Sequence, residues 1–448
     1  MNDIFSEFKK VSYADWLEKI ETDLKGKPLS VLESTPEPGL SIKAYHHAET
    51  GPQNESNTHL RNAAKASNDW FIRQVFSGKN ANNVSILAGL NDGINAVGFV
   101  LDKTSNFKNL SKHIGFEYIN SDIQFMDTDA ALYTEVPATA DLNFDVIALN
   151  AAQGQVAHSL EEFLAFYNHH NANKTIWISG SIYGKAGAST VQELALTLAH
   201  LNDYVQYLTE EGKSLAEINE KICIELSVNE NYFVNIAKFR VIRSLVALMF
   251  QAYDENYTSF VPKIYAKTNL RHLAKNDKNN NALRETTQAM SAVIGGCDVL
   301  TVDYGQYGSD QEVERFERIA KNIQLILKEE AYLDKVVDPG GGSYYIENLT
   351  NQLLQECWTL FLEIENKGGL TAALVSGYVN EIIGDTTAQL VADMQDNTRT
   401  FLGVNKHPNG MEDWVETKAE QPSETTAFPS LKPFILEDHF SKTVASNE

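Results

Sequence analysis

The chain is 448 residues long and carries 37 Lys and Arg against 60 Asp and Glu, a formal net charge of −23. That sign is wrong for a protein that neutralises phosphates, so nucleic acid and anionic membrane surfaces are set aside as partners. With 43% hydrophobic and 22% charged residues the composition is globular, and the length suits about three ordinary domains or one large α/β barrel with extensions.

At the N-terminus Met1-Asn2-Asp3 opens on an acid, without the basic and apolar regions of a secretory leader or an Arg-rich transit segment, so a cytoplasmic location is the default expectation. Phe8, Val11, Trp16, Ile20 and Leu24 recur at helical spacing and predict an amphipathic arm, which Lys25-Gly26-Lys27-Pro28 ends. Thr35-Pro36-Glu37-Pro38-Gly39 and the polar stretch 49–58 read as loop, so residues 1–60 are expected to be an arm and linker.

From residue 84 short apolar runs alternate with helical periods. Eight runs are expected as strands: Val84–Leu90, Ala96–Leu101, Tyr118–Phe125, Asp145–Asn150, Thr175–Gly180, Ile222–Val228, Lys263–Thr268 and Asp298–Asp303. Runs this short and this continuously apolar suit parallel strands buried on both faces. Helical spacing over Val191–Leu208, Asn231–Ala252 and Asn281–Ile294 supplies crossovers, and the alternation predicts an α/β fold, a (β/α)8 TIM barrel over residues 61–400. Leu349–Glu365 and Thr371–Asn397 read as further helices. Residues 401–448 hold Pro408, Pro422, Pro429 and Pro433, four of the eleven prolines, and are expected to form an extended or disordered tail. The longest apolar stretch, around Leu245–Phe250, is far short of the roughly 18 residues that cross a bilayer.

Few motifs carry chemistry by themselves. Cys223, Cys297 and Cys357 lie in apolar segments without Cys-x-x-Cys spacing and read as buried thiols. Pro339-Gly340-Gly341-Gly342-Ser343 lacks the spacing of a phosphate loop and leads into Tyr344-Tyr345-Ile346, which is strand-like, so it reads as a tight turn. His46-His47 and His169-His170 are adjacent pairs that point apart on a strand or helix, which favours solvated surface histidines over metal ligands. Asp298 and Asp303 bracket one strand, and Asp303 sits at its C-terminal end, where barrel enzymes place catalytic groups or where a carboxylate caps a turn.

Several stretches taken together resemble the methylmalonyl-CoA mutase family. These are Trp16-Leu17-Glu18 with Asp23-Leu24-Lys25-Gly26, Arg73-Gln74, Asn280-Asn281 with Arg284, and Ala289-Met290-Ser291-Ala292-Val293-Ile294-Gly295-Gly296. Arg318-Ile319-Ala320-Lys321-Asn322-Ile323-Gln324, Asp338-Pro339 and Gly342-Ser343-Tyr344-Tyr345-Ile346-Glu347 complete the pattern. The resemblance implies a substrate-binding barrel and, in catalytic chains, a C-terminal adenosylcobalamin domain.

The departures from that pattern fall at its functional positions. Where catalytic chains carry Ser-Gly-Tyr-His-Met-Gln-Glu-Ala-Gly-Ala, this chain reads Ser179-Gly180-Ser181-Ile182-Tyr183-Gly184-Lys185-Ala186-Gly187-Ala188. Tyrosine is thus Ser181 and histidine is Ile182, a side chain that neither donates a hydrogen bond nor transfers a proton. The tyrosine expected after Arg73-Gln74 is Val75. Glu-Gln-Asp-Pro-Tyr-Asn-Asn has become Lys275-Asn276-Asp277-Lys278-Asn279-Asn280-Asn281, which puts Asn276 at a position near the cofactor. None of the eleven histidines has Asp two residues before it, so the cobalamin signature Asp-x-His-x-x-Gly does not occur, and the Pro-rich tail is expected to leave no room for a cobalamin domain.

The resemblance and its departures imply no catalytic, cofactor or metal site in this chain, with Val75, Ser181, Ile182 and Asn276 as degenerate positions. The expected role is the non-catalytic small subunit of a heterodimeric mutase whose large subunit holds adenosylcobalamin. The competing expectation is a stand-alone barrel that binds an acyl-CoA through a basic rim of Arg73, Lys185, Arg271 and Lys275, or a degenerate scaffold.

Overall fold

The computed structural model of the protein describes residues 11–47, 49, 65, 67–77, 82–258, 262–305, 310–407 and 426–440. Eight parallel strands form one sheet: β1 (Phe71–Phe76), β2 (Ala96–Leu101), β3 (Asn120–Phe125), β4 (Asp141–Asn143), β5 (Ile176–Ile178), β6 (Ile222–Val228), β7 (Lys263–Thr268) and β8 (Val299–Thr301). Their spatial order is β4-β3-β2-β1-β8-β7-β6-β5. The two ends meet where Asp141 pairs with Lys174 and the Leu142 N–H donates to the Lys174 carbonyl at 2.7 Å. The closed order with helices outside it is the (β/α)8 barrel that the alternation predicts.

Two of the eight expected strands are helices. Val84–Leu90 lies in the helix Asn83–Asn91, because Asn82 caps it by accepting from the Ser85 N–H at 2.9 Å, and an N-cap of this kind competes directly with an extended chain. Asp145–Asn150 belongs to the helix Val146–Gln153, capped by Asp145 through the Ala148 N–H; β4 precedes it. The first strand, β1, has Arg73 and Gln74 at its centre, which hides it from an apolar-run search. Tyr344-Tyr345-Ile346 likewise opens not a strand but the 23-residue helix Tyr344–Asn366, whose N-cap is Ser343. The glycines before it do form a turn, with Gly342 at φ +81°, a backbone that favours glycine.

Helix Tyr344–Asn366 packs against Thr190–Glu210 and Tyr232–Tyr253 on the outside of the barrel, the two crossover helices that are buried along most of their length. Cys223, Cys297 and Cys357 are buried free thiols. At the N-terminus the helix Tyr13–Asp23 follows a capping box of Ser12 and Asp15 and buries none of its residues. Phe8 and the stretch 50–58 lie outside the described residues, as do 408–425 and 441–448. The described part of the C-terminal extension, 426–440, runs along the barrel with Phe428, Leu431, Leu436 and Phe440 buried.

Candidate functional site

Alternation along a strand sends every second side chain into the barrel. At one level these are Arg73 from β1, Asp122 from β3, Glu225 from β6, Lys267 from β7 and Thr301 from β8. Arg73 spans the interior. Its Nε donates to Asp122 Oδ1 at 2.7 Å, its Nη2 to Oδ2 at 2.5 Å and its Nη1 to Thr301 Oγ1 at 2.9 Å. Glu225 Oε2 stands 3.8 Å from Nη1. Burial alone would lower the guanidinium pKa, but Asp122 beside it and Glu225 beyond raise it above its ordinary value, so the plug's Arg73 is charged; burial raises the Asp122 carboxyl, and the Arg73 guanidinium opposes that rise. Gly98 on β2 makes room for that guanidinium, since a Cβ there would lie 2.8 Å from Arg73 Nη2.

The next level toward the N-terminal end of the strands is packed with Ala96, Trp177, Cys223, Tyr265 and Val299. The Trp177 and Tyr265 rings sit 4.4 Å apart, and the Tyr265 hydroxyl donates to Asp141 Oδ2 at 2.5 Å. The barrel axis is therefore filled at two successive levels.

Above the plug, at the C-terminal mouth, Val75, Ser181 and Ile182 come together around a cavity of about 240 Å³ that Gln124, Asn143, Lys185, Glu225 and Lys267 also line. Ser181 Oγ donates to Glu225 Oε1 at 2.5 Å. Glu225 stays ionised: burial opposes it, but Lys185, Arg73 and Lys267 together hold its carboxyl below the usual range. Beside this space a second cavity, of about 220 Å³, shares Arg73, Val75 and Lys267 and reaches to Asp303, which pairs with Lys267 at 2.9 Å. Both volumes fall under the roughly 300 Å³ at which drug-sized sites begin.

Asn276 is not part of this cluster. It is buried beneath the C-terminal extension, where its N–H and Nδ2 donate to Glu437 Oε1 at 3.1 and 3.0 Å. Of the four residues expected to form a basic rim, Arg73 and Lys185 both line the mouth cavity, while Arg271 and Lys275 do not. Arg73 is spent inside the barrel, Arg271 pairs with Glu230 at 3.0 Å, and Lys275 pairs with Asp438 at 2.6 Å. Of the adjacent histidines, His169 is exposed, but His170 is not the solvated group expected: it is buried with its Nε2 2.7 Å from the Ala131 carbonyl oxygen. Asp298 lies at the opposite end of its strand from the mouth and holds Arg243 and Lys65, at 3.0 Å each. Among the described residues no group of three His, Cys, Asp or Glu is placed to hold a metal.

Neither mouth cavity has a histidine in its wall. Among the described residues, the walls of these two cavities thus offer no imidazole of the kind that the Asp-x-His-x-x-Gly signature presents to cobalt. His200, on the helix Thr190–Glu210, is fully buried between the Tyr183 hydroxyl at 3.0 Å and Asp145 Oδ1 at 2.9 Å.

Sequence reasoning missed the inner ring of Asp122, Glu225 and Lys267. A signal was available: β1 and β6 each carry a single charge inside a largely apolar run, as in Phe71-Ile72-Arg73 and Ile224-Glu225-Leu226, while Asp122 on β3 and Lys267 on β7 stand among more polar neighbours. A charge there has to find its partner across the barrel.

Residues 149–428 match the family described as methylmalonyl-CoA mutase. The chain is 30% identical over 458 residues to the methylmalonyl-CoA mutase small subunit of Porphyromonas gingivalis, an alignment that covers 91% of this chain and 71% of that one. It is 34% identical over 234 residues to the methylmalonyl-CoA mutase of Rhizobium meliloti, covering 52% of this chain and 33% of that protein. With the human mitochondrial methylmalonyl-CoA mutase it shares 32% identity over 249 residues, 55% of this chain and 33% of the human one. The chain thus spans about a third of the length of the latter two relatives.

Proposed function

The chain belongs to the methylmalonyl-CoA mutase family, and from that premise we propose that it serves as the non-catalytic small subunit of a heterodimeric, cytoplasmic mutase. Its partner is a large subunit that binds adenosylcobalamin and interconverts (R)-methylmalonyl-CoA and succinyl-CoA. The cofactor supplies radical chemistry in that partner; this chain holds none of it and contributes packing.

The observation that carries the reading is the filled barrel. A substrate reaching down the axis from the mouth meets the Arg73–Asp122 pair and, below it, Trp177 and Tyr265. At the mouth the two positions where the family pattern has a proton-bearing ring and a phenol are Ile182 and Ser181. An aliphatic side chain offers no stabilisation to a thioester oxygen, and the differential binding on which catalysis depends has no group to act through there.

The experiment is purification of the chain alone and with the large subunit. Expected results are no mutase turnover by the isolated chain with added adenosylcobalamin, no saturable heat on titration with succinyl-CoA, and co-elution with the large subunit in equal amounts. Turnover by the isolated chain overturns the non-catalytic reading; saturable succinyl-CoA binding favours the acyl-CoA-binding barrel instead.

A further inference from the structure

Lys185 closes the short helix Ser181–Lys185 that follows β5. Its carbonyl accepts from the Phe434 N–H at 2.8 Å, so the C-terminal extension pins its main chain, and its partly exposed side chain lines the 240 Å³ mouth cavity. The other charged groups of that cavity are occupied. Arg73 holds Asp122, Lys267 holds Asp303, Asp145 is bonded to His200, and Glu225 accepts from Ser181. The Lys185 ammonium has neither a hydrogen bond nor an ion pair among the described residues.

The charges that face Lys185 are Arg73 from β1, Glu225 from β6, Lys267 from β7 and Asp303 beyond β8. Burial first, then Lys267 and Arg73, lower its ammonium to about 8 against the pull of Glu225 and Asp303. At neutral pH roughly a tenth of it is free amine, on the order of a hundredfold more than for an ordinary lysine. A desolvated amine crowded by other cations is the form of lysine that adds to carbonyl compounds.

We propose that Lys185 is an imine-forming site for a small hydroxyaldehyde. The nitrogen lone pair forms the C–N bond to the aldehyde carbon, and the carbonyl oxygen takes up a proton to give a carbinolamine. That hydroxyl then departs as water with the second proton of the amine, and a C=N bond remains; nothing is oxidised or reduced. Ser181, in the same wall and bonded to Glu225, is the hydroxyl placed to carry the proton. The class of ligand follows from the lining. Gln124 and Asn143 offer neutral hydrogen-bonding groups to hydroxyls, whereas a carboxylate would find no free cation once the Lys185 nitrogen had reacted. The small volume excludes anything near the size of a coenzyme. This site is a property of the chain's own cavity and stands apart from the subunit reading.

The test is reductive trapping on the purified full-length chain, with glycolaldehyde and cyanoborohydride, followed by peptide mass spectrometry. The peptide bearing Lys185 is expected to be labelled on the order of tenfold faster than that of the exposed Lys19, with a rate midpoint near pH 8. Lys185→Arg removes the label, and Lys267→Met moves the midpoint upward, because it takes away a cation and frees Asp303. Labelling at Lys185 no faster than at Lys19 overturns the proposal, and this comparison needs only the wild-type protein. Pyruvate labelling Lys185 faster than glycolaldehyde overturns the assignment to hydroxyaldehydes.

Discussion

The plug can be dissected as a pair. Arg73 and Asp122 have side chains 5% and 1% exposed, so Arg73→Met strands a carboxylate in the barrel interior, and Asp122→Leu strands a guanidinium. Breaking a buried pair on one side costs about 3–5 kcal/mol, because the remaining charge has lost water without gaining a counter-ion. Replacing both by apolar groups of similar volume is often neutral or better. The double variant Arg73→Met/Asp122→Leu should therefore lie within about 1 kcal/mol of the wild type, with a coupling energy of about 3 kcal/mol or more. Urea unfolding monitored by fluorescence reads this as shifts of midpoint at constant slope. The Trp177–Tyr265 level below is untouched, so the double variant should still give no saturable succinyl-CoA binding. Single variants within about 1 kcal/mol of wild type, or a double variant as unstable as the sum of the singles, would refute the view of the plug as a desolvated, mutually dependent pair.

Other predictions concern the surroundings of this pair. Gly98→Ala should cost about 1–3 kcal/mol by overpacking, since the new Cβ would meet a guanidinium that Asp122 and Thr301 hold in place; thermal melting checks it. Glu437→Ala removes the acceptor for the N–H groups of Lys275 and Asn276 and for Asn276 Nδ2. Losing hydrogen bonds to a charged group, about 1.5–3 kcal/mol each, should make cleavage within 426–440 faster by an order of magnitude in limited proteolysis. Glu285 has its carboxyl pushed up to about 8 by burial and by Asp303. The native state then holds a proton that the unfolded chain has released between pH about 4.5 and 8, so stability falls as pH rises through that window, by up to about 1.4 kcal/mol per pH unit. Glu285→Gln should flatten that slope in urea titrations at pH 5 and 8, and an unchanged slope contradicts the assignment.

Six of the eight strands were legible because an apolar run between turn residues is a strong local signal. The misplaced two failed for local reasons as well. A capping residue, Asn82 or Asp145, stands directly before the apolar run, and the hydrogen bond it offers to a backbone N–H makes the first helical turn cheaper than an extended chain. Conversely β1 was overlooked as a strand because its interior side is polar, and that polarity has meaning only once Asp122 and Thr301 stand opposite it. The ring of Arg73, Asp122, Glu225 and Lys267 joins residues from four strands, and no window of sequence contains more than one of them.

The motifs that made the family recognisable turn out to be those that hold the frame. The Asp338 of Asp338-Pro339 pairs through Oδ1 with Arg240 Nε at 2.8 Å, and Glu347 binds the same guanidinium at 2.7 Å, so the glycine turn and the start of helix Tyr344–Asn366 are tied to the crossover helix Tyr232–Tyr253. Asn281 receives the Ala274 N–H and donates to the Ala274 carbonyl, at 2.9 Å each, while Arg284 bridges Asn281 and the Leu402 carbonyl at 2.7 Å each. Each of these contacts ties a motif residue to backbone, to another motif residue or to the buried Arg240 of the crossover helix, so a change at one leaves a buried polar group without its partner. Positions facing the mouth bear no such constraint: Val75 and Ile182 touch open space in the cavity, and a substitution there alters what the cavity can bind or catalyse without unfolding the barrel. The proposed non-catalytic role accounts for this distribution, since it would leave the second set free to change while the contacts of the first keep the frame.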